Sequence, residues 1–316
     1  MNFQYLKSVE DAKFFIDLAF RKANEKASLM RGTKKFKGTR LEKSKKIELL
    51  KIDTIKDVVV DKLLAILKVF PDLDGLPEFY RELVKCTIDY PALKKSLGAL
   101  NWAKQKTIDM HKEYSQKIRK CKSPEKINDY RRQFYGRISS FLKQINKQLK
   151  FLETARRAMK QYPAIKTGIK TIAIAGFPNV GKTTLLFKLT GSKPDIQPYA
   201  FTTKGINVGY IMEGTKKKVQ VLDTPGTLNR FDKMNSIEKV AFLALKLLAE
   251  KIIYVFDLTE PYPLEDQVKL YKKIKETKKP TLIYLSKTDI LDKEIVGNFS
   301  KKYKHESIEK IRKAIS

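Results

Sequence analysis

Cysteine and histidine are scarce in this chain of 316 residues. The two cysteines, Cys86 and Cys121, form no Cys-x-x-Cys pair, so neither a disulfide scaffold nor a cysteine zinc site is expected. His111 and His305 are the only histidines, which leaves almost nothing from which to build a histidine metal centre or a Ser-His-Asp triad. The low cysteine content favours a reducing compartment, and we expect a cytoplasmic protein.

Long apolar runs and acidic residues are scarce as well. Residues 1–7 lack a charged segment followed by an apolar one, and the apolar residues 58–60 are followed by Asp61 and Lys62. This pattern predicts neither a signal peptide nor a membrane span. The chain has 35 Asp and Glu against 66 Lys and Arg, a formal net charge of +31. Such an excess indicates a polyanionic partner, either nucleic acid or an anionic membrane surface.

The length and the charge distribution predict two domains. Residues 1–170 carry 40 basic and 19 acidic residues, whereas residues 171–316 carry 26 and 16. Apolar residues at helical spacing predict a basic, all-α bundle over residues 1–165. Alternating β-rich and helical segments predict an α/β domain over residues 166–316.

The helical half is predicted to contain a long hairpin. A first helix is expected to start near Ser8, and further helices are expected at about 41–70, 78–88, 91–120 and 124–160. The last of these begins at Ser123-Pro124-Glu125, where a cap, a proline and a first-turn acid agree. It is roughly 50 Å long at 1.5 Å per residue. Its apolar stripe favours antiparallel packing on the preceding helix.

Basic residues concentrate in two places in this half. Residues 31–40 contain five basic residues, Phe36 and no acid, which indicates either a solvated loop or a phosphate-backbone contact in which Phe36 stacks on a base. The outward face of the predicted 124–160 helix carries Arg131, Arg132, Arg137, Lys143, Lys147, Lys150, Arg156 and Arg157. That face is either an ordinary solvated surface or a surface for nucleic acid.

The α/β half is predicted to form a mixed, mostly parallel sheet. Strands are expected at about 170–175, 205–212, 217–222, 251–257 and 281–286, and helices at 181–190, 236–249, 264–276 and 307–315. A hairpin turn at 214–215 joins the second and third strands, so we expect one antiparallel pairing among parallel ones.

A phosphate-binding loop joins the first of these strands to its helix. The stretch Gly176-Phe-Pro-Asn-Val-Gly181-Lys182-Thr183 fits the pattern G-x-x-x-x-G-K-[ST] between a β-branched strand and a helix. Backbone N–H groups of such a turn surround phosphates, and the helix dipole favours the same charge. The predicted nucleotide-binding residues are Asn179, Val180, Gly181, Lys182, Thr183 and Thr184. Lys182 is expected to reach the β- and γ-phosphates, and the Thr183 hydroxyl to ligate Mg²⁺.

Two further segments are placed to sense a γ-phosphate. Asp223-Thr-Pro-Gly226 directly follows a predicted strand, so the Asp223 carboxylate can hold Mg²⁺ through a water and the Gly226 N–H can donate to the γ-phosphate. A threonine in the loop before the second strand can ligate Mg²⁺ as well. We favour Thr203 for this role, with Thr202 as the alternative.

Leu285-Ser-Lys287-Thr-Asp289 follows the last predicted strand and indicates a guanine site. A carboxylate at Asp289 can accept hydrogen bonds from guanine N1–H and N2–H, a pair that adenine does not offer. The Lys287 stem can cover the base plane. These residues favour GTP over ATP.

Together, Gly176–Thr183, Tyr199-Ala-Phe-Thr-Thr203, Asp223–Gly226 and Leu264-Glu-Asp-Gln267 resemble the nucleolar GTP-binding protein family of the Obg superfamily, in its short archaeal form. The resemblance implies a GTP/GDP switch with Mg²⁺ and a role in assembly of the large ribosomal subunit. It also implies that the helical domain binds ribosomal RNA on the subunit precursor. Ribosomal proteins or other assembly factors are further partners that it allows, and we expect a monomer with no membrane partner.

Three departures from the family pattern affect the expected chemistry. Ser286 stands where the guanine motif usually has Asn, and Ser300 is the nearest candidate for the missing Ser-Ala-Lys base loop. No Gln follows Gly226, so intrinsic hydrolysis should be slow until a partner or a cation completes the site. Asn179 either holds K⁺ beside the phosphates or is a turn residue without an ion. A GTPase recruited to an anionic membrane and an assembly module with negligible hydrolysis remain alternatives.

Overall fold

The computed structural model describes residues 2–32, 37–191, 195–199, 202–213, 216–224, 241–259 and 262–315; for 195–199, 202–205, 213 and 216–218 the description concerns the backbone. Phe36 and Gly226 lie outside these residues. Contacts divide the chain into two compact units. Residues Tyr5–Leu73 and Ile88–Arg157 form the helical unit. The α/β unit consists of Met1–Gln4, Asp74–Thr87 and Ala158–Ser316.

Long amphipathic helices build the helical unit. They are α1 (Ala12–Arg31), α2 (Arg40–Val69), α4 (Tyr90–Lys120), α5 (Pro124–Gln144) and most of α6 (Asn146–Lys160), while α3 (Glu78–Thr87) belongs to the α/β unit. Helix α2 packs against α1, α4 and α5. Its residues Ile52, Ile55 and Leu63 are fully buried. Within the described ranges, no helix is both long enough and apolar enough to cross a membrane.

Two helix boundaries differ from the sequence-based prediction. Helix α1 starts at Ala12 rather than near Ser8, because the Asp11 carboxylate accepts the Phe14 N–H at 2.8 Å and caps the helix there. The predicted 124–160 helix is interrupted at Ile145, which separates α5 from α6. At this break the Asn146 amide oxygen accepts the Ala12 N–H at 3.0 Å. The Asn146 side chain thus satisfies a backbone N–H in the first turn of α1 that has no partner within its own helix.

The predicted basic face on α5 and α6 is only partly available. Glu153 accepts hydrogen bonds from Arg156 at 2.7 Å, from Arg157 at 2.8 Å and from the Val9 N–H at 3.0 Å. The Arg156 guanidinium holds the pKa of Glu153 at about 2. Arg131 is also paired, with Glu48 at 3.3 Å. Arg132, Arg137, Lys143, Lys147 and Lys150 are exposed as predicted.

One six-stranded sheet forms the centre of the α/β unit. Its strands are β1 (Lys170–Ala175), β2 (Asp195–Tyr199), β3 (Thr202–Glu213), β4 (Lys216–Asp223), β5 (Lys251–Phe256) and β6 (Thr281–Leu285), in the order β2-β3-β4-β1-β5-β6. The pairs β4/β1, β1/β5 and β5/β6 are parallel. The pairs β2/β3 and β3/β4 are antiparallel, so one antiparallel pairing more is present than predicted. The mixed, mostly parallel fold class is confirmed.

Helices α7 (Lys182–Thr190), α8 (241–248, ending in a π-helical turn at Ala244–Leu248), α9 (Leu264–Lys275), α10 (Lys293–Lys302) and α11 (Ile308–Ile315) complete this unit. Helix α10 was not predicted from the sequence. The sheet core is β-branched and fully buried at Ile172, Ile174, Val221 and Ile253. Burial of this kind on parallel strands explains why the strands read as continuous apolar runs.

The segment that leads into β1 belongs to the α/β unit. The Tyr80 hydroxyl accepts the Ile165 N–H at 2.9 Å, and Gln220 on β4 pairs with the N–H and the carbonyl of Lys166 at 3.1 and 3.2 Å. Contacts therefore group residues 158–165 with the sheet. The division into independently folding domains at 165/166 stays a prediction.

Candidate nucleotide-binding site

The loop between β1 and α7 contains three residues with positive φ. These are Gly176 at 149°, Asn179 at 63° and Gly181 at 88°. A Cβ atom on Gly176 would lie 2.6 Å from the Val255 carbonyl oxygen on β5, so a side chain does not fit there. The backbone after it turns sharply and enters α7 at Lys182. The predicted residues 179–184 therefore lie consecutively around the N-terminus of α7, where backbone N–H groups and the helix dipole favour an anion.

Lys182 is buried within this loop. Its Nζ donates to the Phe177 carbonyl at 2.5 Å, and only 7% of the residue is exposed. Burial lowers the pKa of Lys182, and the nearby Asp223 carboxylate opposes that shift. A buried ammonium group is costly unless an anion compensates it. The loop is therefore suited to a phosphate.

Asp223 and Thr183 meet beside the loop. Asp223 ends β4 in register with Ile174 of β1, and the Thr183 hydroxyl donates to its Oδ2 at 2.5 Å. The Asn207 amide donates to the same oxygen at 2.9 Å. The other oxygen, Asp223 Oδ1, is buried and has no hydrogen-bond partner among the described residues. A buried carboxylate oxygen without a donor, next to a hydroxyl, fits a Mg²⁺ site.

Asn207 was missed by the sequence analysis. It lies directly opposite Asp223 in the antiparallel β3/β4 pair. Only the register of that hairpin reveals the contact, because the two residues are 16 positions apart and belong to no shared motif.

The guanine-type turn follows β6 and lies against the phosphate loop. A Cβ atom on Gly181 would be 3.6 Å from the Ser286 Cβ. Ser286 is buried and its hydroxyl donates to the Phe256 carbonyl at 3.0 Å. Serine in place of asparagine therefore keeps the turn tied to β5. Asp289 is exposed at the end of this turn, as a side chain that receives a base must be.

A buried carboxylate that the sequence analysis missed positions Lys287. Asp257, fully buried after β5, pairs through Oδ2 with Lys287 Nζ at 2.7 Å, and its Oδ1 accepts from Thr259. Gln267 on α9 bonds both the N–H and the carbonyl of Asp257, at 3.1 and 2.7 Å. The position of Asp257 at a strand end is a signal that could have found it, whereas the role of Gln267 depends on tertiary contacts.

Three other predicted site residues lie in a strand or a helix and not in loops. Thr202 and Thr203 lie in β3 rather than in a loop, and their side chains are outside the described residues, so the choice between them stays open. Ser300 lies inside α10, where its hydroxyl donates to the Val296 carbonyl at 2.6 Å. Ser307 directly precedes α11 and accepts the Lys310 N–H at 3.4 Å, and the neighbouring Glu306 N–H donates to the Ile283 carbonyl of β6 at 2.8 Å.

Strands β4, β1, β5 and β6 are mutually parallel, so their carboxyl ends share one edge of the sheet. The phosphate loop, the Asp223–Thr183 pair and the Lys287–Asp289 turn all follow these ends, which is where open α/β sheets bind ligands. Fold and site together define a P-loop GTPase.

Family models support this class. One described as the NOG1 N-terminal helical domain matches residues 3–166, and one described as 50S ribosome-binding GTPase matches residues 171–287. The chain belongs to the nucleolar GTP-binding protein 1 family. Both the family resemblance and the GTPase class predicted from the sequence are confirmed.

Individual relatives agree with the family assignment. An uncharacterized protein of Methanocaldococcus jannaschii is 42% identical over 260 residues, 81% of this chain and 73% of the relative. Nucleolar GTP-binding protein 1 of Drosophila melanogaster is 33% identical over 298 residues, 93% of this chain but only 45% of the relative. The solved structure of Era from Aquifex aeolicus, with GDP and aluminium fluoride, is 28% identical over 43% of this chain and 49% of that chain. Its TM-score of 0.35 is too low to support an argument.

The predicted cytoplasmic location is wrong: it is contradicted by the eukaryotic relatives, each of which is named a nucleolar GTP-binding protein. The cysteine content on which it was based indicates a reducing environment and does not distinguish compartments that share one. Because this chain spans less than half the length of those relatives, their whole-protein activity and partners are matters for proposal.

Proposed function

We propose that this protein is a guanine-nucleotide switch that hydrolyses GTP slowly and acts in assembly of the large ribosomal subunit, with the helical unit binding ribosomal RNA. The observation that carries the nucleotide part is the buried Lys182 beside Asp223, whose Oδ1 lacks a donor among the described residues. A buried cation and a buried carboxylate oxygen are both completed by a phosphate with its metal ion.

The residues divide the chemistry among them. Lys182 and the backbone N–H groups of the loop hold the β- and γ-phosphates, and Lys287 with Asp289 holds guanine. Thr183 and Asp223, together with Thr203 or Thr202, would hold Mg²⁺, which would supply charge that offsets that of the phosphates. Water attacks the γ-phosphorus while the bond from that phosphorus to the bridging oxygen breaks, which gives GDP, inorganic phosphate and a proton.

The absence of Gln after Gly226 makes this step slow in the isolated protein. A ribosomal partner is expected to accelerate it. The proposal includes K⁺ held by Asn179, a residue of the loop with φ of 63°, as a second way to accelerate the step. Equal rates in K⁺ and Na⁺ would remove the K⁺ part of the proposal.

The excess of positive charge supports the proposed RNA binding. The exposed cations of α5 and α6 are among the 40 basic residues of positions 1–170, which outnumber the 19 acidic residues there. The family-model description of residues 171–287, a 50S ribosome-binding GTPase, supports the choice of large-subunit ribosomal RNA in this proposal. Binding through phosphates should weaken steeply as salt rises. Binding to ribosomal particles that does not change with salt would refute the electrostatic account.

Single-turnover hydrolysis tests the switch. Labelled GTP is mixed with excess protein, with and without large ribosomal subunits, and Asp223→Asn serves as the site control. We expect slow hydrolysis alone, faster hydrolysis with subunits and loss of both in the variant. ATP should not compete with GTP.

A second candidate is a nucleotide-binding assembly module with negligible hydrolysis. The missing Gln and Ser286 favour it. The same experiment separates the two functions, since this module would bind GTP and subunits without any stimulated turnover.

A further inference from the structure

The only tryptophan of the chain lies exposed on the helical unit. Trp102, on α4, is 47% exposed. Its ring packs edge-on against Phe141 of α5, with centroids 6.2 Å apart and an angle of 80° between the planes. Because Phe141 is buried, this contact fixes one side of the indole while much of the rest faces solvent. An indole held against a buried ring, with the rest of its surface exposed, can stack on a planar ligand.

Gly98 lies one turn before Trp102 on α4. Helical side chains lean over the turn that precedes their own Cα, which for Trp102 is the turn of Gly98. A Cβ on Gly98 would have no atom within 4 Å, so no packing inside the protein requires glycine there. Glycine in a helix interior costs about 1 kcal/mol relative to alanine. An incoming ligand that lies flat on the indole would account for it.

Cations flank the indole on the same side of α4. Lys95 is two turns before Trp102 and Lys106 is one turn after it, and both are exposed. Asp109 is the acid nearest along this stripe, and it accepts a hydrogen bond from Gln105 at 3.0 Å. An aromatic plane between two lysines matches a nucleic-acid strand, in which bases alternate with phosphates.

We propose that Trp102 and Gly98 form a stacking platform for one unpaired base of RNA, with Lys95 and Lys106 on the flanking phosphates. This platform rests on the proposed RNA binding and gives the helical unit a site for unpaired RNA. Stacking is tolerant of base identity, so the platform recognises an unstacked base rather than a sequence.

Fluorescence of the intact chain tests the platform, because all tryptophan emission comes from Trp102. A short unpaired ribo-oligonucleotide should quench the emission, and a duplex of the same length should not. Trp102→Ala should weaken binding of the unpaired strand by roughly 5- to 100-fold, the effect of one lost base stack. Trp102→Phe should retain part of the affinity.

Two further variants separate stacking from folding. Gly98→Leu has open space around it and should leave the helix intact, yet it places a bulky side chain in the turn where the base is proposed to lie and should weaken binding as Trp102→Ala does. Phe14→Ala removes an aromatic residue of similar exposure, 43%, on α1 and should change nothing. Far-UV circular dichroism confirms that each variant is folded.

The outcomes distinguish the two proposals. No RNA binding by the wild type at low salt would overturn the proposed RNA function and the platform with it. Salt-dependent binding without quenching, and with unchanged affinity in Trp102→Ala and Gly98→Leu, would overturn the platform alone. Loss of a protein partner in Trp102→Ala with RNA affinity intact would assign the surface to that partner and also overturn the platform.

Discussion

Replacing Gly176 with alanine should remove a large part of the stability of the α/β unit. Two terms contribute. A side chain at φ of 149° costs on the order of 1–3 kcal/mol in backbone strain. The new Cβ would also lie 2.6 Å from the Val255 carbonyl oxygen, which belongs to the interior strand β5 and cannot move away freely. Overpacking of this kind costs about 1–3 kcal/mol.

Together these terms give about 2–6 kcal/mol, against a total stability of about 5–15 kcal/mol for a typical domain. Gly181→Ala is the matched control in the same loop. Its φ of 88° also strains a side chain, but the nearest atom to the new Cβ is Ser286 Cβ at an ordinary 3.6 Å. Only the strain term applies, so Gly181→Ala should be less destabilising by about 2 kcal/mol.

Urea unfolding of the full chain measures the difference. Far-UV circular dichroism follows both units, whereas the fluorescence of Trp102 follows the helical unit alone. Gly176→Ala should shift the transition of the α/β unit and leave the Trp102 transition in place. Equal destabilisation by the two variants would show that the Val255 contact is relieved easily, and the steric part of the reasoning would be wrong.

Three further perturbations follow from the side-chain contacts. Asn207→Ala removes a donor to Asp223 and should weaken Mg²⁺-dependent GTP binding about 10-fold in a metal titration, since supporting hydrogen bonds typically contribute 10–100-fold; unchanged Mg²⁺ dependence would refute this. Asp257→Asn removes the charge that holds Lys287 and should lower GDP affinity roughly 10-fold by calorimetry, about 1.4 kcal/mol, with ATP still excluded. Glu153→Gln should destabilise the helical unit at pH 7 by on the order of 1–3 kcal/mol. Because the pKa of Glu153 is depressed from 4.5 to about 2, the carboxylate stabilises the fold above pH 4.5, and the difference between variant and wild type should vanish in melts as pH falls toward 2.

Local patterns located the phosphate loop well. The predicted strand 170–175 is β1, and α7 begins at Lys182 within one residue of the predicted start. The glycines, the Lys-Thr pair and the change from strand to helix all lie within about 20 residues, so the sequence contains all the information that the element needs. The Asp223 strand end was located for the same reason.

Features that depend on distant contacts were not predictable. The break at Ile145 coincides with a side chain that caps a helix 134 residues earlier. Asn207 contributes to the site only because of the hairpin register. In each case the missing information is the identity of the tertiary neighbour.

The strand that ends in Asp223 also holds the chain that enters the sheet. Gln220, three residues earlier on β4, is fully buried and binds both backbone groups of Lys166. The adjacent Ile165 is held in turn by Tyr80 of α3. A shift of β4 that follows a change at the phosphate site would therefore reach residues 163–166 and α3 through hydrogen bonds. The chain passes between the two units four times, after residues 4, 73, 87 and 157. Two of these four crossings lie on either side of α3, and a third leads into residues 158–166. The segments that are hydrogen-bonded to β4, directly or through Tyr80, are therefore covalently continuous with the basic helices proposed to bind RNA.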